Sequence, residues 1–166
     1  MTRGAGKAAF LFCLLLLATP LAAQEIKPFE SSSLSRIVAA LQPRPFVLAL
    51  WSLSCPHCPD DLILFGELSK KYPKLDIVLI STDTPQDIPA ISTVLARHRL
   101  EQAEAWVFAD AFSEQLRYAI DRQWRGELPR TYLYSTDGTV RGISGKLTAS
   151  QLQPWIEQQM ALAKHP

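Results

Sequence analysis

Apolar positions along the chain follow two rhythms. "FVLALW" (46–51), "LDIVLIST" (75–82) and "AWVFAD" (105–110) are nearly continuous apolar runs. Such runs predict short strands buried on both faces of a sheet. Between them the apolar residues recur at helical spacing. Leu34, Ile37, Val38 and Leu41 mark a helix over 33–41, with Ser33 as its cap and Pro43 and Pro45 beyond its end. Leu62, Phe65, Leu68 and Tyr72 mark a second in "PDDLILFGELSKKY", with acids in its first turn and lysines in its last. "DIPAISTVLARHRL" and "AFSEQLRYAI" predict two more, the first entered near Asp87. Residues 24–32 read as an extended lead-in.

The tail changes character. "RTYLYST" (130–136) alternates, Asp137-Gly138 signals a hairpin turn, and "TVRGIS" is the returning strand. A last helix spans 148–163, with Thr148 and Gln151 as a capping box and Pro154 near its first turn. From "FVLALW" onward the order is β-α-β-α-β-α-β-β-α. It predicts an α/β fold with a mixed central sheet and helices on both faces.

Composition narrows the function. The chain has 166 residues and a net charge of +1, and no run reaches five like charges, so nothing marks a nucleic-acid partner. Its 12 prolines fall singly between apolar runs, as punctuation. Arg3 and Lys7 followed by "AAFLFCLLLLA" (8–18) and "TPLAA" read as a signal peptide over 1–23, cut after Ala23. The alternative is an uncleaved membrane anchor from Ala8 to Ala23. Residues 24–166 form one domain of an exported, periplasmic protein on the first reading. Cys13 then leaves with the signal, and Cys55 and Cys58 remain as its cysteines.

Two thiols in an oxidising compartment will meet each other. A disulfide closing so small a loop is a poor staple, so its value is chemical. "WSLSCPHCPD" (51–60) directly follows a central strand, at the carboxyl edge where α/β sites form. Its spacing suggests that Cys55 caps the following helix, that Pro56 is the first helical residue and Pro59 the fourth, and that Cys58 follows on the same side. A helix N-terminus and His57 would both favour the Cys55 thiolate, making Cys55 the attacking thiol and Cys58 the resolving one. A stabilised thiolate also makes the disulfide more oxidising. A closed zinc site lacks ligands, since the other histidines are His98 and His165. No cofactor is expected. A copper chaperone using Cys55, Cys58 and His57 is the competing reading, and a non-catalytic interaction domain a third.

From about residue 33 to 163 the chain resembles the thioredoxin superfamily, in particular its exported TlpA/ResA-like branch. "FVLALWSLSCPHC", "ELSKKYPKLDIVLIS" and "GELPRTYLYSTDGTV" resemble three of its segments in order, with room for the branch's extra strand and helix. The resemblance implies a thioredoxin-like fold, thiol–disulfide exchange with cysteine-bearing proteins, and a membrane electron-transfer partner. It implies a cis-proline at Pro129 beside the sulfurs and an aromatic neighbour at Trp51. Cytosolic thioredoxins carry a buried acid where this chain has Ala49. The ResA-like pattern instead suggests Asp61, with Asp60 as alternative, to accept the Cys58 proton. Pro56-His57 resembles the dipeptide of the oxidase DsbA, whereas the scaffold resembles reductases, which are the favoured class.

Overall fold

The structure, a computed structural model, describes residues 24–109 and 112–163. The signal segment 1–23 lies outside them. Six strands form one mixed sheet: β1 (Ile26–Phe29), β2 (Phe46–Trp51), β3 (Asp76–Ser81), β4 (Glu104–Phe108), β5 (Arg130–Tyr134) and β6 (Val140–Ser144). Their spatial order is β1-β4-β3-β2-β5-β6. The first four are mutually parallel, while β5 and β6 are antiparallel additions. Among the described residues five α-helices cover the sheet: α1 (Ser33–Leu41), α2 (Cys58–Lys71), α3 (Ile88–Arg97), α4 (Ser113–Ile120) and α5 (Ala149–Leu162).

The apolar strand runs explain the layering. Every residue of β2 is buried. Val47, Ala49 and Trp51 face one core with Leu62, Phe65 and Leu68 of α2, Ile91 and Leu95 of α3, and Leu152 and Ile156 of α5. Phe46, Leu48 and Leu50 face the other, with Ile37 and Leu41 of α1 and Leu116 of α4. Each fully buried side chain of this size contributes roughly 1.5–3 kcal/mol by leaving water. Phe46 stacks on Tyr134, its register partner on β5, with ring centroids 4.2 Å apart.

The extended lead-in contains an edge strand, β1, whose backbone pairs with β4. Two expectations need correction. The cap of α1 is Ser32, not Ser33, whose hydroxyl accepts the Glu30 amide instead. Pro154 is the sixth residue of α5, past the first turn, so it removes a helical bond to the Ser150 carbonyl. The Thr148–Gln151 capping box is present.

Candidate active site

Both cysteines lie at the carboxyl edge of the sheet, just after β2, and are joined as a Cys55–Cys58 disulfide with Cα atoms 5.5 Å apart. A backbone bond from the Cys55 amide to the Ser52 carbonyl, 3.2 Å, folds the segment after β2 into a turn. That turn delays the helix. His57 is the N-cap of α2, Cys58 its first residue and Pro59 its second. Cys55 is therefore not the cap, and Pro56 and His57 form a turn before the helix rather than its first residues. Pro59 falls where its missing amide is unneeded. The attacking and resolving candidates differ in access: Cys55 is 8% exposed and Cys58 1%.

Pro129 precedes β5, and its peptide bond with Leu128 is cis. Arg130 pairs with Leu50, so one further step along the antiparallel ladder brings Pro129 level with Trp51 at the end of β2. The buried proline thus reaches the strand end from which the disulfide loop departs. Trp51 packs in the same core as both cysteines.

The neighbouring acids are strongly differentiated. Asp60 is half exposed and ion-paired with Lys146 at 2.8 Å. That bond and charge hold its carboxyl below the ordinary range. Asp61 is 2% exposed. Its Oδ1 accepts the Leu147 amide at 2.9 Å, while its Oδ2 has no protein partner among the described residues. Burial pushes its carboxyl up, against the pull of the Leu147 amide, and the Asp60 charge adds to the rise. Ala49 is buried in the core that holds Cys58, so Asp61 is the carboxylate buried on that side.

Two supporting groups carry no signal in the sequence. Asp83, just past β3, accepts the Leu53 amide at 2.9 Å and the Ser81 hydroxyl at 2.5 Å, which ties down the loop ahead of the disulfide. Behind Pro129, on the opposite sheet face from the disulfide, Arg130 donates to Asp121 at 2.9 Å and to Ser144 at 2.5 Å and lies over the Tyr132 ring. Tyr132 also donates to Asp121, at 2.9 Å. Burial pulls the Asp121 carboxyl up, but the Gln123 amide, the Tyr132 hydroxyl and the Arg130 guanidinium outweigh it and hold it low. The cluster joins the loop after α4 to neighbouring positions of β5 and β6, a pairing that the antiparallel sheet register sets.

Among the described residues no three His, Cys, Asp or Glu side chains gather as a metal site. No helix among them is long and apolar enough to cross a membrane.

No protein-family profile matches the chain, and no curated protein matches it by sequence. Solved structures do. A secreted Mycobacterium tuberculosis disulfide oxidoreductase, described as homologous to Escherichia coli DsbE, superposes with a TM-score of 0.56 at 22% identity, over 69% of this chain and 81% of its own. DsbF of the same organism gives 0.57 at 18%, over 72% and 84%. A thioredoxin-family thiol:disulfide interchange protein from Chlorobium tepidum gives 0.54 at 15%, over 74% and 83%. The chain has a thioredoxin fold. Between α2 and the cis-proline lie two βα units, β3-α3 and β4-α4, which include the one extra strand and helix that the resemblance implied, and both cysteines keep the strand-to-helix position.

Proposed function

We propose that this chain is an exported protein thiol–disulfide oxidoreductase of the TlpA/ResA-like type, working as a reductase. The observation that carries the reading is the Cys55–Cys58 disulfide at the end of β2, level with cis-Pro129. The known structures of this shape include a secreted disulfide oxidoreductase.

In the reducing direction the Cys55 thiolate attacks one sulfur of a substrate disulfide. A mixed disulfide forms, and the first substrate sulfur leaves as a thiolate that takes up a proton from water. Asp61 then removes the Cys58 proton, and the Cys58 thiolate attacks the Cys55 sulfur. The intramolecular disulfide forms and the second substrate sulfur leaves, so two electrons pass to the substrate. A membrane electron-transfer partner restores the dithiol. Pro129 and the Leu128 ahead of it offer a short stretch of backbone before β5 to the substrate strand, Trp51 walls the site, and His57 and Pro56 tune the potential. The buried Asp61, whose carboxyl burial raises, suits a base that must return its proton.

Equilibration with glutathione tests the direction. A potential near about −270 mV agrees with a reductase, and one near about −120 mV would assign the protein to the oxidases that its Pro56-His57 dipeptide resembles.

A further inference from the structure

The seam between α2 and α3 carries a furrow that starts beside the exchange site and whose basic residues the exchange chemistry does not use. Three depressions adjoin along it, of about 310, 460 and 590 Å³. The first opens beside the disulfide loop, against Trp51, Leu53 and Pro59. It shares Arg97 and His98 with the second, which shares Gly66, Lys70 and Arg99 with the third. The third reaches Asp76 and Glu104, the first residues of β3 and β4. The furrow therefore runs from the redox edge of the sheet to its opposite edge.

The charges along it are one-sided. Lys70, Arg97 and Arg99 are exposed and form no ion pair among the described residues. Asp76 is taken by Arg44 at 2.7 Å and Glu104 by Lys27 at 3.0 Å, which leaves Glu67 as the free acid of the lining.

Arg99 adds an independent observation. α3 ends in a Schellman turn: the Leu100 amide bonds the Leu95 carbonyl and the Arg99 amide bonds the Ala96 carbonyl. The position after the cap in such a turn is left-handed and favours glycine. Here it is Arg99, at φ 59°. The backbone would be easier with glycine, and the side chain makes no ion pair in return. Its placement in the furrow is what the arginine supplies.

We propose that the furrow is a docking track for an acidic, extended segment of the partner protein whose cysteines exchange with Cys55–Cys58; this rests on the oxidoreductase reading above. From Pro59 to Lys70 along α2 is about 17 Å, or about five extended residues. The acids on the partner therefore lie about four to six residues from its reactive cysteine.

The test uses two synthetic disulfide peptides alike at the cysteine, one with Asp and Glu at that distance and one with Lys, together with neutral hydroxyethyl disulfide. At low salt the reduced protein should exchange with the acidic peptide about tenfold faster than with the basic one, and added salt should shrink the difference. K70E/R97E/R99E should reverse the preference without altering exchange with hydroxyethyl disulfide. R99G should keep or raise the thermal midpoint while slowing the acidic peptide several-fold. An undiminished acidic preference in either variant overturns the proposal. So does a preference for phosphatidylglycerol vesicles without any peptide preference, which would make the patch lipid-facing. If hydroxyethyl disulfide is not exchanged at all, it is the oxidoreductase reading that fails. Binding of an acidic peptide with serine for cysteine, lost in the triple variant, still supports the track, and equal binding to both proteins overturns it.

Discussion

The Asp61 carboxylate and the Leu147 amide, 86 positions apart in sequence, meet at 2.9 Å in the protein interior. The bond fixes one carboxylate oxygen of a buried acid in the same turn of α2 as Cys58 and leaves the other oxygen without a protein partner. Asp61→Asn keeps an acceptor for the Leu147 amide but removes the base. Resolution by Cys58 should slow by about 10²-fold at neutral pH and recover as the solution becomes alkaline. Stopped-flow decay of the mixed disulfide across pH checks this, and an unchanged pH profile would remove Asp61 from the mechanism.

The same residue predicts a stability profile. Its folded pKa is raised above the ordinary 3.8, so the folded state holds the proton longer than the unfolded chain. Stability should therefore fall as pH rises from about 3.8 through the folded value, and stay lowered above it. Urea unfolding at several pH values should show wild type losing ground to Asp61→Asn across that window.

Asp121 predicts the opposite sign. Its folded pKa is depressed, so its contribution is present above the ordinary 3.8 and is lost as pH falls through the folded value. Asp121→Asn should remove that acid-sensitive part. Arg130→Ala, which leaves Asp121 with the Tyr132 hydroxyl and the Gln123 amide but no cation and frees Ser144, should cost about 2–3 kcal/mol in denaturant unfolding.

Gly66 is where the end of α3 rests on α2. A Cβ there would lie 2.2 Å from the His98 carbonyl oxygen, a backbone atom that cannot swing aside. Gly66→Ala should cost about 2 kcal/mol or more. A loss within about 0.5 kcal/mol would mean that the two helices part easily.

Pro154 is exposed inside α5 and deprives the Ser150 carbonyl of its helical partner. Pro154→Ala should stabilise the protein by about 2 kcal/mol, since Leu152 and Ile156 keep their buried faces. Thermal unfolding measures the gain.

How far these features could be read from the chain follows from their range. β2, β3 and β4 were legible because strands buried on both faces must be apolar at nearly every position. β1 was not, because four residues that include exposed Pro28 carry no pattern; its identity comes from backbone pairing with β4. The start of α2 was misplaced because Pro56 suits a first helical position. The Ser52–Cys55 turn, a backbone matter, overrides that preference. The disulfide pair itself was plain from spacing and from the strand before it. Leu147, Asp83 and Arg130 were invisible as parts of the site, since each earns its place through a partner that only the folded sheet brings near.

β1 runs parallel to β2 three strands away, so whatever precedes Gln24 joins the sheet at the edge opposite the disulfide. A leash attached there would hold the molecule by its heel. The sulfurs would then point outward from the point of attachment, about a strand length of 20 Å beyond it. Such a tether would set how far the exchange reaction can reach and leave its face open to partners arriving from the far side.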